Sequence, residues 1–106
     1  MNDLTSKQRA HLRKLAHRLK PVVFVGNEGV TEAVVSSILD ALNTRELLKI
    51  KLQESAPLGV RDAATELSER IDGAHIAQTI GKTIVLYRAD PETPEIRLPA
   101  AGARSA

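Results

Sequence analysis

The chain has 106 residues, 42% of them apolar, enough to fill one modest hydrophobic core and not two. Phe24 and Tyr87 are its only aromatic side chains and it has no cysteine, so a disulfide framework and a thiolate metal site are excluded and Leu, Ile, Val and Ala must build the core. The net charge is +2, but six of the fifteen basic side chains fall in residues 1–25 beside a single acid, Asp3, which suits a polyanionic partner or, more plainly, a solvated basic helix face.

The first predicted element is a helix over residues 5–19. Thr5 and Gln8 have the spacing of a capping box, and Leu12, Leu15, Ala16 and Leu19 recur as one apolar stripe. Lys7, Lys14 and Arg18 share another face, because seven residues make about two turns. Pro21 closes the helix, since the residue before a proline is pushed out of helical geometry. Residues 22–25, VVFV, form a short β-branched run that reads as a buried strand. Gly26-Asn27-Glu28-Gly29 follows. Thr31 then caps a second helix over residues 32–42 that turns Val34, Val35, Ile38, Leu39 and Leu42 inward.

Leu48-Lys49-Ile50-Lys51-Leu52 alternates strictly, as a strand does with one face on a core and the other in water. Past a loop with Pro57 and Gly59, a third helix over residues 60–72 points Val60, Ala64, Leu67 and Ile71 inward and ends on Gly73 as a left-handed cap. Residues 75–80 and 83–88 read as two strands around Gly81-Lys82, a two-residue turn of type II′. Pro91 and Pro94 break regular structure, residues 96–99 add a short extended piece, and residues 100–106 form a frayed tail. The order α-β-α-β-α-β-β, with right-handed crossovers and an antiparallel closing hairpin, predicts one α/β domain over residues 1–99: a mixed four-stranded sheet packed with helices.

No stretch is apolar and long enough to span a bilayer, and the basic N-terminus has no apolar segment behind it. The expectation is a cytoplasmic protein with no membrane partner. Catalytic constellations are not legible. No serine sits in a GxSxG elbow, the glycine loop lacks the GK[ST] of a phosphate-binding P-loop, and His11, His17 and His75 are scattered without carboxylates beside them. The expectation is therefore no catalytic residue, no metal and no cofactor.

The segment from Val25 to Glu32 holds the main functional signal. Glycines let the backbone approach a ligand without a Cβ in the way, and the helix start behind them offers free N–H groups and a positive dipole end. KH domains use a GXXG loop to clamp a sugar–phosphate backbone in this manner. A lone GxxG is more often a plain turn, and Glu28 repels phosphate locally. The company of the loop raises its significance. The basic first helix runs through Lys20 into the strand that carries it, Lys49 and Lys51 project from one strand face, and Lys82 and Arg88 flank the hairpin. Each has a bland reading as solvated surface charge or as protection of an exposed sheet face. With so few aromatics, base stacking is expected to contribute little, and recognition to follow backbone shape.

Several stretches, in order, resemble the CRM domain family (chloroplast RNA splicing and ribosome maturation), in its stand-alone bacterial, YhbY-like form. They are Leu4-Thr5-Ser6-Lys7-Gln8-Arg9, Leu15-Ala16-His17, Leu19-Lys20-Pro21-Val22-Val23, Val25-Gly26-Asn27-Glu28-Gly29-Val30-Thr31-Glu32, Glu46-Leu47-Leu48-Lys49-Ile50-Lys51, and Ile80-Gly81-Lys82-Thr83 with Val85-Leu86-Tyr87-Arg88. The resemblance runs over roughly residues 4–99. The resemblance implies an α/β RNA-binding fold similar to the C-terminal domain of translation initiation factor three. It implies RNA contact through the GxxG loop and nearby basic surface and, for bacterial members, association with precursors of the large ribosomal subunit. By position, Gly26 and Gly29 would shape the loop, Asn27 and Glu28 would form its tip, Thr31 would cap the helix behind, and Lys20 and Lys82 would supply charge. The sequence departs from the pattern at Glu28, where uncharged or basic residues are common in the family.

The expected function is a non-enzymatic, monomeric RNA-binding factor for assembly of the large subunit, with precursor ribosomal RNA and also ribosomal proteins as partners. The alternatives are a general RNA binder and a protein-interaction module that uses the acidic third helix, with Asp62, Glu66 and Glu69. An aspartate in place of Gly29 is expected to weaken RNA binding and to leave the fold largely intact.

Overall fold

The structure, a computed structural model, describes residues 4–99, and the expected tail at 100–106 lies outside them. The capping box forms as the sequence predicts. The Thr5 hydroxyl accepts the Gln8 N–H at 3.1 Å, and Gln8 Oε1 accepts the Thr5 N–H at 3.0 Å, which starts α1 (Ser6–Ala16). The helix ends at Ala16 and not at residue 19. Pro21 opens the following strand, and the chain needs the intervening residues to turn into it, with the Leu19 N–H donating to the Ala16 carbonyl at 2.9 Å. The apolar stripe is correspondingly narrower: Leu12 and Ala16 are buried, whereas Leu15 and Leu19 are exposed.

The remaining elements are β1 (Pro21–Val25), α2 (Glu32–Leu42), β2 (Leu47–Leu52), α3 (Val60–Arg70), β3 (His75–Ile80) and β4 (Thr83–Tyr87). They form the expected mixed sheet, in the order β1-β2-β4-β3. β1 runs parallel to β2, and β4 is antiparallel to both of its neighbours. Pro21 occupies the first position of an edge strand, where its missing N–H costs the ladder little. Gly81 alone in the closing turn has positive φ, 57°, and Ile80 pairs with Thr83, as a type II′ hairpin requires. α3 is capped by Ile71 in extended geometry, so Gly73 lies beyond the cap, in the turn towards β3.

Both faces of the sheet are covered, but unequally. On one face Val23, Val25, Leu48, Ile50, Leu52, Ile84 and Leu86 pack with Ile38 of α2 and Ala63, Ala64 and Leu67 of α3. On the other face Leu47, Ala77, Val85 and Tyr87 pack with Leu4, Leu12 and Ala16, and with Ile96 and Leu98. Residues 96–99 are therefore a packed strap and not a strand. α1 packs against β3, β2 and β4. In β1, only Val23 and Val25 are buried; Val22 and Phe24 are exposed, so the expected buried strand is an edge strand with one wet side.

Glu46 fixes the strap. It is 7% exposed, and its carboxylate accepts the N–H groups of Asp90 at 2.6 Å, Ile96 at 2.7 Å and Glu95 at 3.0 Å. Burial, and then the Glu46 carboxylate, push the Tyr87 phenol above its ordinary pKa. Asp90 is held below its ordinary value, chiefly by N–H donors from Thr93 and Glu92. Among the described residues no helix is long and apolar enough to cross a membrane.

The Glu46 contacts predict that Glu46→Gln, which turns an N–H donor towards N–H donors, lowers stability by about 2–3 kcal/mol. Urea unfolding should show a lower midpoint at unchanged slope, with limited proteolysis cutting first in residues 88–99. An unchanged midpoint would mean that the strap does not depend on this carboxylate.

Candidate nucleic-acid interface

Because β1 and β2 are parallel, their C-terminal ends open at the same end of the sheet. Antiparallel β4 begins there and β3 finishes there. Three connections therefore meet: residues 26–31, residues 53–59 and the Gly81-Lys82 turn. Backbone bonds tie them together. The Gln53 N–H donates to the Val25 carbonyl at 2.9 Å, and the Leu52 N–H donates to the Lys82 carbonyl at 2.8 Å.

The glycine loop is a tight turn. The Gly29 N–H donates to the Gly26 carbonyl at 3.0 Å, which leaves Asn27 and Glu28 exposed at the tip. Its two glycines differ in role. Gly29 is buried with φ of 77°, a conformation that side chains other than glycine rarely adopt, and its absent Cβ would stand 3.5 Å from Pro57. At Gly26, φ is ordinary and a Cβ would meet only the side-chain end of Gln53, at 3.0 Å. The expectation that an aspartate at Gly29 leaves the fold largely intact is therefore corrected, because this glycine belongs to the framework and not to the exposed surface.

Behind the turn, Val30 is buried in the core and its carbonyl accepts the Arg70 guanidinium at 2.6 Å. Arg70 also pairs with Glu66 at 3.2 Å. Thr31 caps α2 as expected, its hydroxyl accepting the Val34 N–H at 3.1 Å. The amides of Glu32 and Ala33 have no protein acceptor among the described residues, so donors and the positive dipole end lie beside the loop. The Glu32 carboxylate in the first turn offsets part of that field.

Of the expected basic residues, the structure brings two to this end. Lys51 is exposed near the end of β2, and Lys82 is exposed in the hairpin turn. Lys82 Nζ lies 3.1 Å from Glu54, but both partners are largely solvated, so the pair holds Lys82 only weakly. Lys49 is half-buried on the same strand face as Lys51.

The others lie elsewhere. Lys20 precedes β1, one strand of about 16 Å from Gly26, and Arg18 precedes it in turn. Arg88 follows β4 at the far end of the sheet: its N–H donates to the Glu46 carbonyl at 2.9 Å, and its side chain lies against Gly73. Arg88 thus flanks the hairpin at its open end, and β4 separates it from the turn and the glycine loop. Lys7 and Lys14 are exposed on α1, while Arg18 lies past its end, so the three do not form one continuous helical face.

The histidines are not gathered into a site. His75 stacks on Tyr87 with ring centroids 6.4 Å apart, His11 is half-buried and His17 is exposed. Among the described residues no three His, Asp or Glu side chains are grouped to hold a metal ion. Sequence reasoning missed Arg70, which lies forty residues from Val30 with no local signal to connect them. It also missed Phe24, read as buried because four consecutive apolar residues do not tell which side is covered.

The family model for the CRS1 / YhbY (CRM) domain matches residues 4–88. The chain is 38% identical over 96 residues to the "Probable RNA-binding protein YqeI" of Bacillus subtilis, covering 91% of this chain and 99% of that protein. It is 40% identical over 99 residues to an "RNA-binding protein" of Haemophilus influenzae, covering 93% and 98%. A Staphylococcus aureus protein solved in solution, itself proposed to bind RNA, matches with a TM-score of 0.76 at 38% identity, over 91% of this chain and 99% of that one.

The loop geometry predicts an order of glycine substitutions. Gly29→Ala should lower stability by about 1–2 kcal/mol through its left-handed backbone. Gly26→Ala, which needs only a shift of the Gln53 side chain, should cost less than about 1 kcal/mol. Chemical denaturation of the two variants checks this; the reverse order would contradict the loop conformation.

Proposed function

Because the chain belongs to the CRS1 / YhbY (CRM) domain family, we propose that it is a non-enzymatic RNA-binding protein that holds ribosomal RNA of the large-subunit precursor during assembly. The observation that carries the RNA-binding reading is the meeting of the glycine turn with Lys51 and Lys82 at one end of the sheet. The names of the relatives support it; the ribosomal role rests on the family resemblance.

In this reading the protein supplies position and charge and no bond-making chemistry. The main chain of the turn at Gly26 and the exposed Asn27 and Glu28 approaches the sugar–phosphate backbone, while buried Gly29 holds the turn in its left-handed conformation from behind. Thr31 keeps the start of α2 in place, with its free amides next to the turn. Lys51 and Lys82 neutralise phosphates, and Lys49 adds charge behind them. Glu28 and Glu54 moderate the field and so limit indiscriminate binding to any polyanion. Lys7 and Lys14 on α1, with Arg18 and Lys20 beyond it, form a separate basic surface for an RNA long enough to reach it; Arg88 has no part in the loop contact.

The chain acts as one monomeric domain over residues 1–99 in the cytoplasm, with ribosomal proteins as its neighbours on the precursor. A general RNA binder would use the same turn, because contacts from a main chain read little sequence.

Two measurements check the proposal. Binding to single-stranded RNA should weaken with salt, with log K falling at a slope near −3 to −4 against log salt if about four to six phosphates are engaged. A flat response would contradict phosphate contact. Crosslinking in cells followed by sequencing of the attached RNA should give reads focused on large-subunit precursor. Reads scattered over many transcripts would leave RNA binding and remove the ribosomal role.

A further inference from the structure

The sheet register places one row of side chains across all four strands: Phe24 opposite Lys51, Lys51 opposite Thr83, and Thr83 opposite Ile80. At about 4.8 Å between strands, the row spans about 14 Å. It is the row nearest the converging loops, since Phe24 lies two residues before Gly26, and Ile80 and Thr83 bracket the Gly81-Lys82 turn. The neighbouring residues Val23, Val25, Ile50 and Ile84 point into the core under α2 and α3, so the row faces the α1 side. There α1 and the strap cover Leu47, Ala77, Val85 and Tyr87 and leave this end of the face bare. Phe24 is 51% and Ile80 59% exposed, Lys51 is exposed, and Thr83 is half-buried.

Single exposed apolar side chains are ordinary and need no explanation. Three features set this row apart. It holds the one phenylalanine of the chain. Lys51, its direct cross-strand neighbour, forms no ion pair among the described residues, and the row contains no carboxylate. The bare patch is also continuous with the turn to which RNA backbone contact has been assigned. An aromatic face beside an unpaired cation, at the edge of a backbone clamp, has the chemistry that holds an unpaired nucleotide: the ring stacks on the base and the ammonium takes the adjoining phosphate.

We infer that the row Phe24-Lys51-Thr83-Ile80 is a stacking platform for an unpaired base of single-stranded RNA, with Phe24 beneath the base and Lys51 on the flanking phosphate. This rests on the RNA-binding reading and narrows it, because a duplex keeps its base faces stacked and offers none to Phe24. Recognition is then tolerant of base identity but selective for unpaired segments. It gives base stacking a larger part than the composition led one to expect, since one ring is sufficient when the fold leaves it bare beside the clamp.

The test uses the full chain with a short uridine-rich single strand and a duplex of equal length. Phe24→Leu keeps apolar bulk on the edge strand and should weaken single-strand binding by about 5- to 150-fold while sparing duplex binding. Phe24→Trp introduces the sole tryptophan of the chain, and its fluorescence should be quenched by the single strand and not by the duplex. Unchanged single-strand affinity in a folded Phe24→Leu protein, an equal loss on both RNAs, or an unquenched Phe24→Trp would each overturn the platform. If the unmodified protein still binds RNA with a steep salt dependence, the RNA-binding reading survives that failure. If it binds neither RNA, both fall.

Discussion

The parallel pairing of β1 with β2, extended by the bond from the Gln53 N–H to the Val25 carbonyl, is the constraint on which the candidate site depends. It sends the glycine turn and the 53–59 loop off the same end of the sheet, where the β3–β4 hairpin also closes. Had β1 paired antiparallel, residues 26–29 would leave from the end where Glu46 and Arg88 lie, away from Lys51 and Lys82. The crossover through α2 makes the parallel arrangement possible, because parallel neighbours need a connection long enough to return along the sheet.

Within that frame the turn is fixed from behind and open in front. Gly29 and Val30 are buried, Arg70 holds the Val30 carbonyl, and the Thr31 cap fixes the helix start. Only Asn27 and Glu28 project. Such a turn loses little conformational entropy on meeting a ligand, since its backbone is already ordered, so modest contacts give useful affinity. The charges around it are mixed, with Glu28, Glu32 and Glu54 near Lys51 and Lys82. In the proposed reading, shape and main-chain donors therefore act alongside the lysines.

How much of this could be read from the sequence depends on how local each cause is. The capping box at Thr5, the alternation around Lys49 and Lys51, the cap at Thr31 and the Gly81-Lys82 turn are set by near neighbours, and each forms in the structure. The end of α1 was less legible, because Pro21 marks where a helix cannot continue and not where it stops. Residues 22–25 misled because the coverage of a sheet face is decided by where α1 lands. Arg70 on Val30, Arg88 at the far end of β4 and the three bonds of Glu46 to residues 90–96 all join positions distant in the chain, and no periodicity encodes them. The position of the loop was legible, whereas the identity of its basic neighbours required the register.

RNA is proposed to meet the end of the sheet where the glycine turn, Lys51 and Lys82 converge. Two-dimensional NMR of the amide groups during titration with single-stranded RNA tests this most directly. The largest shifts should fall on residues 26–33, on the end of β2 near Lys51 and on Gly81 and Lys82, with little change around Glu46 and Arg88. Shifts centred on α1 or on the Arg88 end, with the glycine turn unperturbed, would contradict it.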